Sequence, residues 1–418
     1  MKYKIYTLGC KVNEYESEVI ASLLDNHGYV KDENADIVII NTCTVTNSAD
    51  SKSRKIIRSA RKKYPNAILI VCGCMIQNKK DNLEIDADII LGTSNKTEII
   101  NYIKDYKDKK IIDIKDIFKA NFENMSLSKF DRTRAYIKIQ DGCDNYCSYC
   151  IIPYVRGHVR CKKKEDIIKE AKELVKNGHK EIVLTGIHTG NYHDGNFAFS
   201  DLLAKLVKTE GLKRLRISSV EITELNDKVL EVIKNNSILV NHMHVPLQSG
   251  SDNILKLMNR KYSVKYFIKK IKKIREIRPD ISITTDVIVG FPGESEENFD
   301  ETIQTIKKIG FTKIHVFPYS DRDGTAASKM KGKIDGTIKK KRVKTLLEIS
   351  KKLENKYIDQ NIGKELTFIP EIYKDGYLFG HTGNYIMIKT KGKENLLHKE
   401  VNVKLEKNDY PYAEATII

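Results

Sequence analysis

Cys143, Cys147 and Cys150 fall in one short polar run, DGCDNYCSYC. A cubane iron–sulfur cluster has four irons, and each ordinarily takes one protein thiolate. A C-x3-C-x2-C run supplies three thiolates from a single loop and no close fourth. One iron is then left open to bind something else, by the logic that separates catalytic metal sites from closed structural ones. Thiols that merely pack in a core do not usually crowd together beside an Asp141 and a Gly142.

A second set is dispersed. Cys10 follows KIYTLG, Cys43 follows DIVIINT and Cys74 follows AILIVCG. Each preceding run reads as a strand, so three strands each deliver a cysteine just past their C-terminal ends. In an open parallel sheet those ends converge on one crevice, where ligands bind. Gly9 and Gly73 would let the backbone pass close to a bulky inorganic group. Three thiolates there would hold a second cluster, again with an open iron; spacing alone leaves three buried thiols equally open. Cys72 lies on a strand and reads as a core residue, and Cys161 in VRCKKKED reads as having no metal role.

The elements that must position these residues form two series. Residues 1–112 alternate short apolar strands with polar helical stretches, which argues for a parallel sheet with helices on its faces. The rhythm is lost over 113–130, read as a linker. Six further strands begin at RAYIKIQ, EIVLTG, KRLRISS, NHMHVPL, ISITTDVIVG and TKIHVFPY, with helical segments between them. One helix stops at Gly178; another, SVKYFIKKIKKIREI, starts at the cap Ser263 and repeats Val264, Phe267, Ile268, Ile271 and Ile274 at helical spacing. Six such units suit an open, partial (β/α)6 barrel with ligands at the C-terminal ends of its strands. Residues 329–356 read as a basic helical linker whose acids are Asp335, Glu348 and Glu354. Short alternating segments beyond it read as a small antiparallel β-barrel. The expected class is α/β, with domains at 1–112, 129–357 and 358–418.

A formal charge of +17 favours a polyanionic partner such as RNA. Its weight is reduced by a lysine-rich, tryptophan-free composition of the kind an AT-rich genome also produces. The opening MKYKIYTLGC is no signal peptide, and no stretch approaches the ~20 apolar residues that span a bilayer. Eight cysteines are sparse for a secreted disulfide framework in 418 residues. A cytoplasmic protein with reduced, metal-binding thiols and no membrane contact is expected.

The Cys143–Cys150 run resembles the signature of the radical S-adenosylmethionine (SAM) superfamily. TLGCKVNEYES, NTCTVTNSADSKSRKIIR and VCGCMIQ look like the N-terminal domain of one branch, the methylthiotransferases. DGCDNYCSYCIIPYVRG, LTGIHTGNY, RISSVEI, HMHVPLQSGSDNILKLMNRKY, TTDVIVGFPGE and FPYSDRDGTAA continue the match in family order. GYLFGHTGNYIMI resembles the RNA-binding TRAM domain that ends these enzymes. TLGCKVN, NTCTVTN and GHTGNY look most like the type acting on threonylcarbamoyladenosine at tRNA position 37. Asp144 stands where Asn is usual, and His158 and Cys161 where Pro and Ser are common; none removes a ligand.

The resemblance implies two [4Fe-4S] clusters and SAM. Cys143, Cys147 and Cys150 would hold the cluster whose open iron chelates SAM, and Cys10, Cys43 and Cys74 an auxiliary cluster that carries the sulfur. One SAM would methylate that sulfur. An electron from an external donor such as flavodoxin or ferredoxin would cleave another to a 5′-deoxyadenosyl radical, which removes hydrogen from carbon 2 of the adenine. Gly186 and Ile187 match where radical SAM proteins contact the methionine end of SAM, and Ser218, Glu221, Gln248 and Gly290 fall after later strands, placed to line its pocket. Polar loop residues or turn glycines are the plain alternative. Arg260 could fork onto the SAM carboxylate, or end a helix in solvent. Arg54, Arg58 and Arg61 share a helical face that phosphate or simply water could cover. Tyr377, Phe379, His381 and Tyr385 could face a tRNA anticodon arm. A monomer is expected. The rival readings are the same chemistry on isopentenyladenosine or on a ribosomal-protein aspartate, and a non-catalytic iron–sulfur protein that binds RNA or relays electrons.

Overall fold

The computed structural model describes residues 1–78 and 84–418. Its N-terminal unit is a six-stranded parallel sheet in the order Val30–Lys31, Lys2–Thr7, Ile37–Thr42, Ile68–Gly73, Ile89–Leu91 and Ile111–Asp113. Ile37–Thr42 is buried along its whole length, as a central parallel strand covered on both faces must be. The two edge strands not expected from sequence have two and three residues, too short for a periodic signal.

Six parallel strands then form an open barrel: Arg134–Lys138, Glu181–Thr185, Arg214–Ile217, His242–His244, Ser282–Val289 and Lys313–Pro318. They pair as two three-stranded halves. The halves meet through isolated parallel bridges, Leu215 with Leu239 and Ser219 with His244. The expected helices are present. Ser263 caps Val264–Ile277 by accepting from the Tyr266 amide, and Phe267, Ile271 and Ile274 are its buried face.

Both expected linkers are structural. Within 113–130, Ile117, Met125, Leu127 and Phe130 are buried, and Tyr15 of the first helix donates to the Met125 carbonyl at 2.8 Å. That segment is a strap packed between the two units. The basic stretch holds the helix Gly336–Asp359, which lies along the last barrel strand. Leu346 is fully buried in the barrel core, and the Ser350 hydroxyl accepts from the Ile314 amide at 2.9 Å. Its lysines mask a narrow apolar stripe, which is why charge alone misread it.

The last five strands close a small barrel in the order Glu365–Lys374, Tyr377–Thr382, Met387–Lys391, Tyr412–Ile417 and Val401–Asp409. The expectation of a purely antiparallel barrel needs one correction, since Met387–Lys391 pairs parallel with Tyr412–Ile417. Alternating directions cannot close around an odd number of strands, so one parallel seam is unavoidable. Among the described residues no helix is long and apolar enough to cross a membrane.

If Gly336–Asp359 is a barrel element, Leu346→Ala should destabilise the protein by about 2–5 kcal/mol. The same change at its exposed neighbour Leu347 should cost about 0.5 kcal/mol or less. Urea unfolding of the two variants checks this, and equal midpoints would return the segment to linker status.

Candidate active site

Parallel register brings the first cysteine set together. Thr7 lies opposite Asn41, Asn41 opposite Cys72, and Thr42 opposite Gly73. Cys10, Cys43 and Cys74 therefore leave three adjacent strands within a few residues of one line. Cys10 precedes the helix Lys11–Asn26, and Cys74 opens the short helix Cys74–Asn78. Gly9 has φ +110°, and a Cβ there would meet Cys43 Cβ at 2.8 Å and its Sγ at 3.0 Å. Only glycine lets this loop pass so close to the Cys43 sulfur. Burial pushes the Cys43 thiol up to about 11, and the neighbouring Cys74 and Cys10 add to the rise. Burial likewise raises Cys74, opposed mainly by Arg156.

The second set lies on the loop between the first barrel strand and the helix Ile152–Arg156. Gly142 turns the chain at φ +75°, where a Cβ would strike the His158 carbonyl oxygen at 1.9 Å. The Cys143 amide donates to the Gly157 carbonyl at 3.0 Å, and the Cys150 amide to the Cys147 carbonyl at 2.9 Å. Ser148 ties the loop to the far side of the barrel through the Met258 and Leu257 carbonyls. Burial pushes the Cys150 thiol up to about 12, with Cys147 and Cys143 contributing.

Each set thus brings three thiols into one another's electrostatic field and gives one of them a guanidinium. Arg156 Nε donates to Cys74 Sγ at 3.3 Å, and Arg260 Nη1 donates to Cys147 Sγ at 3.2 Å. Among the described residues no three His, Cys, Asp or Glu side chains converge tightly enough for a single metal ion. A cubane asks for something different: its thiolates bind separate irons and need not meet at one point. Glycines that let the loops turn beside the cysteines, and arginines that favour thiolate, suit such a group.

The two loops are locked together by a buried ionic cluster. Glu16, fully buried on the first helix, pairs with Lys96 of its own unit and with Lys138 (2.7 Å) and Arg156 of the barrel. Asp141 completes it, 2.7 Å from Lys138 and 3.2 Å from Arg156. Burial pushes the Glu16 carboxyl up, but Arg156, Lys138 and Lys96 outweigh it and hold it well below the usual carboxylate range. A second clasp joins the same units, where Arg322 donates to Thr44 and Asn47, both at 2.6 Å, and to Asp50 at 3.1 Å.

A cavity of about 560 Å³ runs down the barrel from Cys10. Gly186, Ile187 and Ser218 line it, whereas Glu221, Gln248, Arg260 and Gly290 do not. Arg260 is no solvated helix end: its side chain is 4% exposed and pairs with Glu221 beside Cys147. Gln248 sits at φ +64° with its amide bonded to the Asp286 carbonyl. Gly290 donates its amide to Glu294 at 2.6 Å. Sequence reasoning missed Gln140, whose side chain donates to the Asp141 and Gly142 carbonyls and accepts from the His188 amide. It also missed His188, paired with Glu224, and the Glu16 cluster. His188 stood in LTGIHTGNY, but nothing in spacing marks a charge that is paired only in three dimensions.

Cys72 is buried in the sheet core as expected. Arg54 and Arg58 are exposed, but Arg61 bonds Asp88 at 2.8 Å and the Ala67 carbonyl, so the third arginine of the expected face is engaged within the fold. His381 pairs with Glu371 and stacks on Tyr385, which lines the barrel cavity.

Residues 137–306 match the radical SAM superfamily model, and residues 2–92 match a model described as uncharacterized protein family UPF0004. The chain is 42% identical to the threonylcarbamoyladenosine tRNA methylthiotransferase MtaB of Bacillus subtilis, over 99% of this chain and 95% of that protein. The chain belongs to the radical SAM methylthiotransferase family. It is 39% identical to MtaB of Thermotoga maritima, over 92% of this chain and 90% of that one. It is 36% identical to the tRNA-2-methylthio-N6-dimethylallyladenosine synthase of Clostridium perfringens, over 96% of this chain and 94% of that one. In fold it resembles the radical SAM methyltransferase TsrM of Kitasatospora setae, with a TM-score of 0.56 at 12% identity over 76% of this chain and 72% of that one. The enzyme's radical SAM domain implies SAM and a [4Fe-4S] cluster.

The Glu16 cluster makes a stability prediction for this methylthiotransferase. A carboxyl held low when folded contributes fully above its unfolded value of about 4.3, and that contribution is lost as pH falls below it. Glu16→Gln strands buried cations and should cost about 3–5 kcal/mol at neutral pH. It should also flatten the acid limb of a stability–pH curve measured by urea unfolding. An unchanged midpoint would mean that the cluster does not hold the units together.

Proposed function

We propose that this methylthiotransferase converts N6-threonylcarbamoyladenosine at position 37 of tRNA to its 2-methylthio derivative. The observation that carries the proposal is the 42% identity along nearly the whole chain to a protein named for that activity. Relatives named for dimethylallyladenosine match less closely, at 36% and below.

In this reading Cys143, Cys147 and Cys150 hold one [4Fe-4S] cluster, and Cys10, Cys43 and Cys74 a second, fed with electrons by an external flavodoxin- or ferredoxin-like donor. With SAM bound, the clusters supply the radical that activates carbon 2 of adenine and the sulfur that replaces its hydrogen. The protein's own work is to bind, orient and exclude water. Gly186, Ile187 and Ser218 form a cavity wall that would hold SAM, and Cys10, which would help hold the second cluster, lines the same cavity. Arg156 donates to Cys74 and Arg260 to Cys147, and each would stabilise the thiolate that binds iron. Arg54 and Arg58, exposed on the helix Asn47–Lys63, offer phosphate contacts to the tRNA.

Anaerobic reconstitution should load about eight irons per chain, four for each cysteine set. The triple variant Cys10→Ala, Cys43→Ala, Cys74→Ala should keep roughly half of that iron, still cleave SAM under reduction, and insert no sulfur. Full iron retention would show that the second cluster is misplaced. Mass spectrometry of tRNA nucleosides from cells lacking the protein should reveal loss of the 2-methylthio derivative of threonylcarbamoyladenosine alone. Loss of the dimethylallyl derivative instead would transfer the assignment to that nucleoside.

A further inference from the structure

The lower half of the barrel cavity is more polar than a flat purine requires. Arg134, Arg216, His242 and His244 line it, and Tyr385 of the C-terminal barrel closes its floor. Tyr385 is held at φ +70°, an uncommon left-handed conformation for a tyrosine. The Arg216 guanidinium lies 4.8 Å from its ring centroid, the Arg134 guanidinium lies 5.6 Å away, and His242 stacks on it at 4.6 Å. Arg134 is paired with Glu371, and Arg216 donates through Nε to Glu181. Among the described residues, two buried atoms here have no partner: Arg216 Nη1 and His242 Nδ1, of residues 3% and 7% exposed. An unmet donor of a buried guanidinium is costly unless a ligand fills it. The acid that faces the cavity, Asp286, is engaged by His244 at 3.1 Å.

The field in the cavity is positive. Burial alone would raise the Tyr385 phenol, yet Arg134, Arg216 and Lys11 hold it below its ordinary value. Burial pushes His242 well down, and Arg216, His244 and Lys11 push it further. Both groups report a site that favours negative charge.

We propose that the Arg216 end of this cavity is a carboxylate subsite, and that it takes the free carboxylate of the amino-acid arm on the target adenine. This rests on the nucleoside assigned above. Carbon 2 and the N6 substituent lie on the same edge of a purine, with N1 between them. A base whose carbon 2 faces the Cys10 end therefore sends its N6 arm along the same cavity. A dimethylallyl arm has no acceptor to give Arg216, so a site built to hydrogen-bond the acid rejects it.

The test measures binding of the full-length reconstituted enzyme, with SAM held constant, to anticodon stem–loops carrying threonylcarbamoyladenosine as the free acid or as its methyl ester. Constant SAM means that its own carboxylate cannot produce a difference. The acid should bind on the order of tenfold or more tightly than the ester, as expected for a charge-assisted pair. Arg216→Gln should bring the acid down to the ester's affinity while changing ester binding by less than about threefold. Equal binding of acid and ester by the unaltered enzyme, or an intact preference in Arg216→Gln, would overturn the subsite. That comparison in the unaltered enzyme stands even if the variant fails to fold. Turnover of the two RNAs separates the failures. An enzyme that modifies threonylcarbamoyl RNA without preferring the acid loses only this subsite. One that modifies dimethylallyl RNA instead loses the nucleoside assignment as well.

Discussion

A single carboxylate, Glu16, has to be satisfied by charges from two separate units of the chain. Lys96 comes from its own unit, while Lys138 and Arg156 come from the barrel unit, and all four side chains are essentially out of solvent. Such a cluster is tolerated only when every member is paired, so it penalises any displacement of one unit against the other. Arg156 gives the constraint its chemical meaning. It stands six residues beyond Cys150 and donates to Cys74, so the loop of one cysteine set is built onto a sulfur of the other. The two cysteine-bearing loops are thereby held in a fixed relation to each other.

The Arg322 clasp repeats the arrangement from the other side of the barrel. Asn13 links the two levels, accepting from Arg156 at 2.7 Å while donating to the Leu8 and Thr42 carbonyls of the cysteine-bearing loops. Interface and candidate site are one network, and a change at Asn13 or Glu16 reaches both. The C-terminal barrel is integrated in the same way. Arg214 reaches the His381 carbonyl and Thr367, and Tyr385 forms the cavity floor. The C-terminal barrel is thus in direct contact with the cavity.

Much of this was legible in the chain. Parallel strands followed by helices, the cysteines at strand ends and the six-unit barrel all follow from periodicity and from where glycine can sit. The failures share one cause. Nothing in the sequence singled out Lys138, Glu16 or Arg156, because burial of a charge depends on partners more than a hundred residues away. The basic helix Gly336–Asp359 and the strap 113–130 looked like linkers, because a few buried residues are enough to dock a mostly polar segment. Arg260 and Glu221 were both expected at SAM; they pair with each other beside Cys147, a contact no spacing rule encodes.

The proposed chemistry requires one cavity to bring a SAM-facing wall and the Cys10-bearing loop to the same edge of one base. The direct measurement uses an anticodon stem–loop deuterated at carbon 2 of its threonylcarbamoyladenosine, with 5′-deoxyadenosine analysed by mass spectrometry after a single reductive turnover. Deuterium transferred from the base into 5′-deoxyadenosine is the predicted result. 5′-Deoxyadenosine carrying no deuterium, formed while the methylthio product accumulates, would contradict it.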